Sequence, residues 1–187
     1  MSRTTIFLVF LLVALAGFYA AGRFSLKDDR VLVEAYDGRH YLVRDIPQKA
    51  ETANMMAKMN EKVNILFKNL REGNEKAVMV ARLTSRFRPE VLSEGRLEKK
   101  LTSYTVNKGE KLVMCMRKRD GTDALFPENV LFSVLLHELA HIASLSEGHG
   151  KEFQENLAFL TGKAQKLGLQ RKEQVNLDYC GIPLAEV

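Results

Sequence analysis

The sequence predicts an α+β fold in which a small, mostly antiparallel sheet packs on helices, preceded by one N-terminal transmembrane helix. Three observations predict it: apolar residues recur at helical spacing in long segments, short extended runs are separated by turn-forming residues, and an uncharged apolar run stands at the N-terminus. With 187 residues, the chain is long enough for one domain with a sizeable core and too short for two full-sized ones.

The N-terminal segment, residues 6–21, reads IFLVFLLVALAGFYAA and carries no charge. It is slightly shorter than the roughly 20 residues that a membrane-spanning helix needs, although flanking uncharged residues can extend it. We therefore predict a transmembrane anchor over residues 1–24 and a single-pass membrane location. The alternative is a signal peptide, cleaved near residues 20–22, which would give a secreted protein.

Residues 25–46 are predicted to form a short β-hairpin or linker, because two extended runs meet at Asp37-Gly38, a dipeptide that suits a type I′ turn. The main domain is predicted over residues 47–187. Its first helix runs from Pro47 to a break at Gly73, and a second runs from residue 75 to about residue 87. Arginines of this second helix are predicted to form a solvated face: Arg82, Arg86 and Arg88.

Two extended runs in residues 102–118 are separated by the turn-forming residues 107–110, and the second run, 111–117, is predicted to be a sheet strand. A nearly all-apolar helix follows from residue 128 to about 144, and such a helix must be buried. The last predicted helix covers residues 151–167.

The composition, 46% hydrophobic and 27% charged, is typical of a globular protein and argues against a disordered one. The net charge of +5 is compatible with nucleic acid, but the basic residues are spread along the chain and form no aromatic-interleaved patch, so nucleic-acid binding is unsupported. Cys115 and Cys180 exclude a disulfide-stapled scaffold. They can form one bridge after export, or stay free thiols in a reducing compartment.

The buried helix contains HELAH, residues 137–141. Helix positions four apart share a face, so His137 and His141 can present ring nitrogens to one ion, while Glu138 can approach water instead of the metal. Three polar side chains on an apolar helix carry a desolvation penalty unless something binds them. The pattern predicts one Zn²⁺ per chain with Glu138 as the catalytic general base and acid.

The third metal ligand is predicted to be His149, which follows Gly148 where the helix should have ended. Several carboxylates are alternatives: Glu147, Glu152 and Glu155 nearby, and the more remote Glu173 and Asp178. The metzincin pattern HExxHxxGxxH does not fit, because Ser144 replaces its glycine and Glu147 its last histidine.

HELAH, followed by Gly148-His149 and by Phe153 in the next helix, resembles the WLM family of metallopeptidases, which are relatives of SprT-type and DNA–protein-crosslink proteases. The likeness covers roughly residues 100–181, including SYTVNKGEKLVMCMR and Tyr179-Cys180-Gly181.

The resemblance implies a small zincin fold with one zinc and peptide-bond hydrolysis. It assigns His137, His141 and His149 as ligands and Glu138 as the catalytic acid and base. In zincins generally, the strand before the HExxH helix forms the sheet edge on which substrate lies, so we expect residues 111–117 to align the substrate.

The predicted function is therefore that of a zinc metallopeptidase acting on a protein or peptide substrate. The alternative is a degenerate or zinc-stabilised module that binds a partner or nucleic acid without catalysis. Retention of Glu138 favours the enzyme, because a purely structural zinc site does not need an acid beside its first histidine.

Overall fold

The computed structural model describes residues 28–97, 102–172 and 178–183. The described chain begins with an antiparallel hairpin of β1 (Arg30–Glu34) and β2 (His40–Arg44), in which Leu32 pairs with Leu42. The turn contains Gly38 at a φ of +76°, a conformation that favours glycine. The predicted hairpin is therefore confirmed.

Two helices connect β2 to the next strand. Helix α1 (Lys49–Glu72) is followed by Gly73, and α2 (Ala77–Arg86) is followed by a short 3₁₀ turn, Pro89–Val91. Both helices end close to the predicted breaks. Apolar side chains of α1, including Met56, Met59 and Leu66, are fully buried in the core.

The sheet contains five strands in the order β1-β2-β3-β5-β4, with β3 at Leu92–Glu94, β4 at Tyr104–Val106 and β5 at Lys111–Met114. β3 is parallel to both β2 and β5, while the two outer pairs are antiparallel. The sheet is therefore mixed rather than mostly antiparallel. The reason is β3, which returns after two helices and so runs parallel to β2.

Helix α3 (Glu128–Ala143) lies at the centre of the domain and contacts α1, α2, β4 and the following helix, α4 (Lys151–Lys166). Its predicted burial is confirmed, since most of its 16 residues are inaccessible to solvent. After α4, the described residues 178–183 form a small hairpin of β6 (Asp178–Tyr179) and β7 (Ile182–Pro183).

A disulfide between Cys115 and Cys180 ties this last hairpin to the end of β5. Tyr179 is fully buried, and its hydroxyl donates to the backbone oxygen of Cys115 at 2.7 Å. The hairpin is thus part of the packed domain.

The membrane prediction needs correction. Among the described residues, α1 is long enough to cross a bilayer but carries many charges, and α3 is apolar but has only 16 residues; no helix there meets both conditions. The predicted anchor, residues 1–24, lies outside the described residues. For the part of the chain that the structure describes, the predicted single-pass membrane location is wrong, and we do not propose it.

Candidate metal centre

Helix α3 brings three of the predicted site residues to one cleft. His137 and His141 lie one turn apart near its C-terminal end, with Glu138 beside the first histidine. His137 and Glu138 are buried, and His141 is half-buried. The helix stops at Ala143, and the exposed loop that follows returns His149 to the same cleft.

The three histidines converge on one point through their Nε2 atoms. Those of His137 and His141 are 3.2 Å apart, and each lies 3.1 Å from Nε2 of His149. In a tetrahedral zinc site with bonds of about 2.0–2.1 Å, two ligand nitrogens lie about 3.3 Å apart. One Nε2 of a neutral imidazole holds a single hydrogen or a single lone pair, so hydrogen bonding alone does not satisfy three mutually facing nitrogens. The triangle fits a shared metal ion.

Phe153, in the first turn of α4, packs against all three imidazoles. Its ring centre lies 4.8 Å from that of His137, 4.3 Å from His141 and 4.7 Å from His149. Phe153 is itself almost fully buried. This contact limits the orientations of the imidazole rings and explains physically why a phenylalanine suits this position.

The surroundings of His141 favour its neutral form. Desolvation lowers the pKa of His141 to about 4, and the positive charge of Lys108 acts in the same direction. Metal binding requires a deprotonated nitrogen, so an imidazole that is neutral at physiological pH is suited to be a ligand.

Glu138 is held by strand β4. The hydroxyl of Thr105 donates to Glu138 Oε2 at 2.8 Å. Burial raises the pKa of Glu138 to about 7, and the hydrogen bond from Thr105 opposes that rise. Sequence reasoning did not identify Thr105, because its role depends on which strand lies beside α3.

The cleft has a volume of about 460 Å³ and is lined by β4 and its following turn on one side and by the histidines and the loop at Gly148 on the other. Ile182 of the last hairpin adds to its wall. β5 pairs with both β3 and β4, so residues 111–117 do not form the sheet edge as predicted. The edge beside the metal centre is β4, which has no further strand on its outer side among the described residues.

The alternative carboxylates that lie within the described residues do not join the histidines. In residues 28–97, 102–172 and 178–183, the only group of three or more His, Cys, Asp or Glu side chains that could hold a metal ion is His137, His141 and His149. Glu147 pairs with Lys108 at 3.1 Å, and Glu152 accepts hydrogen bonds from the loop that carries His149. Glu173 lies outside the described residues.

Two arginines of α2 contact the C-terminal end of α3. Arg82 donates to the backbone oxygen of Ala143 at 2.6 Å, and Arg86 donates to that of Ile142 at 3.2 Å. Guanidinium groups here satisfy carbonyls that have no partner within the helix and oppose the negative end of its dipole. The predicted solvated face is therefore wrong for these two residues, which contact the end of the helix that contains HELAH.

Comparison with known proteins shows the family to which the chain belongs. The model of the WLM domain matches residues 37–178, a longer span than the resemblance in the sequence indicated. The uncharacterized protein R325 of Acanthamoeba polyphaga mimivirus is 30% identical over 155 residues, which cover 79% of this chain and 78% of that protein. The uncharacterized protein 136R of Invertebrate iridescent virus 6 is 32% identical over 80 residues, 42% of this chain and 44% of that protein.

Among solved structures, a mutant of Wss1 from Saccharomyces cerevisiae matches with a TM-score of 0.51 and 23% identity, covering 68% of this chain and 91% of that chain. At this identity the likeness concerns the fold alone. The family match confirms the resemblance carried by HELAH, His149 and Phe153. The chain therefore belongs to the WLM domain family, and its fold is of the metallopeptidase type.

Proposed function

We propose that the chain is a zinc-dependent metallopeptidase, with His137, His141 and His149 as the metal ligands and Glu138 as general base and acid. The observation that carries the proposal is the triangle of Nε2 atoms, 3.1–3.2 Å apart, in the same cleft as a buried glutamate.

Zinc suits this donor set better than magnesium or calcium, which prefer oxygen ligands. Three protein ligands leave one coordination position for water or substrate, as in catalytic zinc sites. Zinc, when bound, supplies Lewis acidity that makes water a nucleophile near neutral pH and stabilises negative charge on the substrate oxygen.

Glu138 is suited to move the proton. With a pKa raised to about 7, its carboxylate can accept a proton from the attacking water and then donate it to the leaving amine. The hydrogen bond from Thr105 fixes Oε2, so the carboxyl group keeps one orientation while it gains and loses the proton.

The proposed substrate is an extended protein or peptide segment that lies along β4. Alternate residues of an edge strand direct backbone N–H and C=O groups away from the neighbouring strand, and an extended peptide can pair with them. Tyr104–Val106 lies beside Glu138 through Thr105, which would bring the scissile bond close to the histidines.

The test uses the full 187-residue chain. Zinc per chain and hydrolysis of casein or a fluorogenic peptide are measured for the wild type, Glu138→Gln and His149→Ala, with Glu155→Gln as a control on an exposed carboxylate. We expect one zinc per wild-type chain. Glu138→Gln should keep that zinc while its hydrolysis falls by about 10²–10⁴-fold. His149→Ala should bind zinc more weakly.

Equal hydrolysis by the wild type and Glu138→Gln would contradict the assigned role of Glu138. Stable zinc binding by a wild-type chain that cleaves neither casein nor peptide would favour a zinc-stabilised binding module instead. Unchanged zinc affinity in His149→Ala would remove His149 from the ligand set.

A further inference from the structure

The loop that carries His149 lacks the burial that usually fixes a ligand. All six residues from Leu145 to Gly150 are exposed, and the Leu145 side chain is 65% accessible to solvent. Apart from the contact of the His149 ring with Phe153, hydrophobic packing does not determine the path of this loop. The backbone between Leu145 and Gly150 must therefore be held by polar contacts, because an exposed loop otherwise samples many conformations.

The largest group of those contacts converges on one carboxylate, that of Glu152 in the first turn of α4. It accepts hydrogen bonds from the backbone N–H of Leu145 at 2.9 Å and of Ser146 at 2.9 Å. The Ser146 hydroxyl donates to it as well, at 2.8 Å. These donors lower the pKa of Glu152 to about 2, so the carboxylate stays charged across the physiological range.

The same carboxylate connects the loop to the end of the active-site helix. Arg82 Nη1 lies 3.5 Å from Glu152 Oε1 and also donates to the backbone oxygen of Ala143, the last residue of α3. On the other side of the loop, Lys108 donates to the backbone oxygen of Ser146 at 2.7 Å. Ser146 is thus held through its N–H by Glu152 and through its C=O by Lys108.

Beyond Ser146 the chain turns back at Gly148, whose φ of +74° is readily adopted by glycine. His149 follows directly, and its Nε2 comes within 3.1 Å of the two helical histidine nitrogens. The chain enters this turn from Ser146, the residue that Glu152 and Lys108 hold.

We propose that Glu152 is a positioning residue for the third metal ligand: its carboxylate orders the loop from Leu145 to Gly150 so that His149 meets His137 and His141. The inference rests on the metal site of the proposed function and deepens it. Glu152 does not itself bind the metal, because its carboxylate faces the loop amides.

Zinc affinity, measured by competition with a chelator on the full chain, tests this role. We expect Glu152→Ala to weaken zinc binding by about 10–100-fold, the range for residues that orient a ligand. Glu152→Gln should also weaken it, because an amide offers one acceptor oxygen where the carboxylate offers two. Gln keeps the size of the side chain, so zinc affinity can be measured on Glu152→Gln if the alanine variant does not fold. Glu155→Gln, on the same helix but exposed, should bind like the wild type within about twofold.

A double-mutant cycle separates positioning from general stability. In a His149→Ala background, Glu152→Ala should leave zinc affinity unchanged, because there is no third ligand left to position. The visible spectrum of the Co²⁺ form should change in the same way for Glu152→Ala and His149→Ala.

Two results would overturn the inference alone. One is wild-type zinc affinity in both Glu152 variants. The other is a loss of zinc affinity on Glu152→Ala that is equally large with His149 and with His149→Ala. A wild-type chain that binds no zinc would overturn the proposed function and, with it, the inference. The two failures are therefore distinguishable.

Discussion

The Thr105 hydroxyl lies 2.8 Å from Oε2 of Glu138, so a strand at the edge of the sheet is joined to the glutamate of the HELAH helix by one hydrogen bond. The bond favours the charged form of a carboxyl group whose pKa burial has raised to about 7. Thr105 therefore lowers the pKa of Glu138 through direct contact with its carboxylate.

Replacing Thr105 by valine, which has a similar shape, tests this relationship. Loss of the hydrogen bond should raise the pKa of Glu138 further, because the ionised form loses a donor. If Glu138 acts as a base, hydrolysis rises with pH as it ionises, and this rise should move toward higher pH by about one pH unit. The profile of kcat/KM against pH is the measurement.

Thr84→Val, on the surface of α2, serves as the matched control and should leave the pH profile in place. A Thr105→Val profile that coincides with that of the wild type would mean that the hydrogen bond does not influence the pKa of Glu138.

Glu138 should also reduce the stability of the metal-free protein as pH rises. Its folded pKa is about 7, above the usual value of 4.5, so the folded state holds the proton more tightly than the unfolded state. Stability from this group is complete below pH 4.5 and is lost as pH rises to about 7. The Gln side chain of Glu138→Gln stays neutral. The free energy of unfolding of this variant, relative to that of the wild type, should therefore rise over that range by about 3 kcal/mol at most.

Urea unfolding in the presence of a chelator, at pH 5 and at pH 8, measures this difference. Glu155→Gln is the control and should follow the wild type at both values. If the stability of Glu138→Gln relative to the wild type were the same at both pH values, ionisation of the buried carboxyl group would not destabilise the fold.

The local parts of the fold could be predicted from the sequence because they depend on near neighbours. Gly73 and Pro89 end helices whatever the tertiary structure around them. On any helix, HELAH places His137 and His141 one turn apart. The position of His149 near the other two histidines could be predicted for the same reason, since a short loop after the end of α3 limits where His149 can lie.

What could not be predicted depends on the order of the strands. β3 has three residues, too few for a periodic pattern, yet it makes the sheet mixed and places β5 inside it. That order leaves β4 as the edge and brings Thr105 to Glu138. The contacts of Arg82 with the end of α3 and with Glu152 join residues 61 and 70 positions apart, and local sequence contains no signal for them.

Phe153 should contribute strongly to stability, since its ring is almost fully buried against the three histidines. Phe153→Ala leaves a cavity and should lower the free energy of unfolding by about 3–5 kcal/mol. Phe159, on the same helix, is only partly buried, so Phe159→Ala should lower the free energy of unfolding by less. Denaturant unfolding of both variants in the presence of a chelator measures the comparison, and equal losses would argue against a special packing role for Phe153.

The disulfide between Cys115 and Cys180 should make stability depend on redox state. The sequence left a bridge and free thiols as alternatives, and the structure joins the two sulfurs across 65 residues of chain. In the chain-entropy description, a loop of that length contributes about 4 kcal/mol by restricting the unfolded state. Reductant should therefore lower the unfolding midpoint of the wild type in urea.

The Cys115→Ala/Cys180→Ala variant should unfold at the lower midpoint with or without reductant.

Because Ile182 lines the cleft, loss of the bridge should also weaken peptide binding if the last hairpin detaches. Tyr179 opposes that detachment, since it is fully buried and bonded to Cys115 and Ser103 independently of the sulfurs. An unchanged KM after reduction, together with a lowered midpoint, would therefore assign the retention of the hairpin to Tyr179 and restrict the disulfide to stabilising the fold.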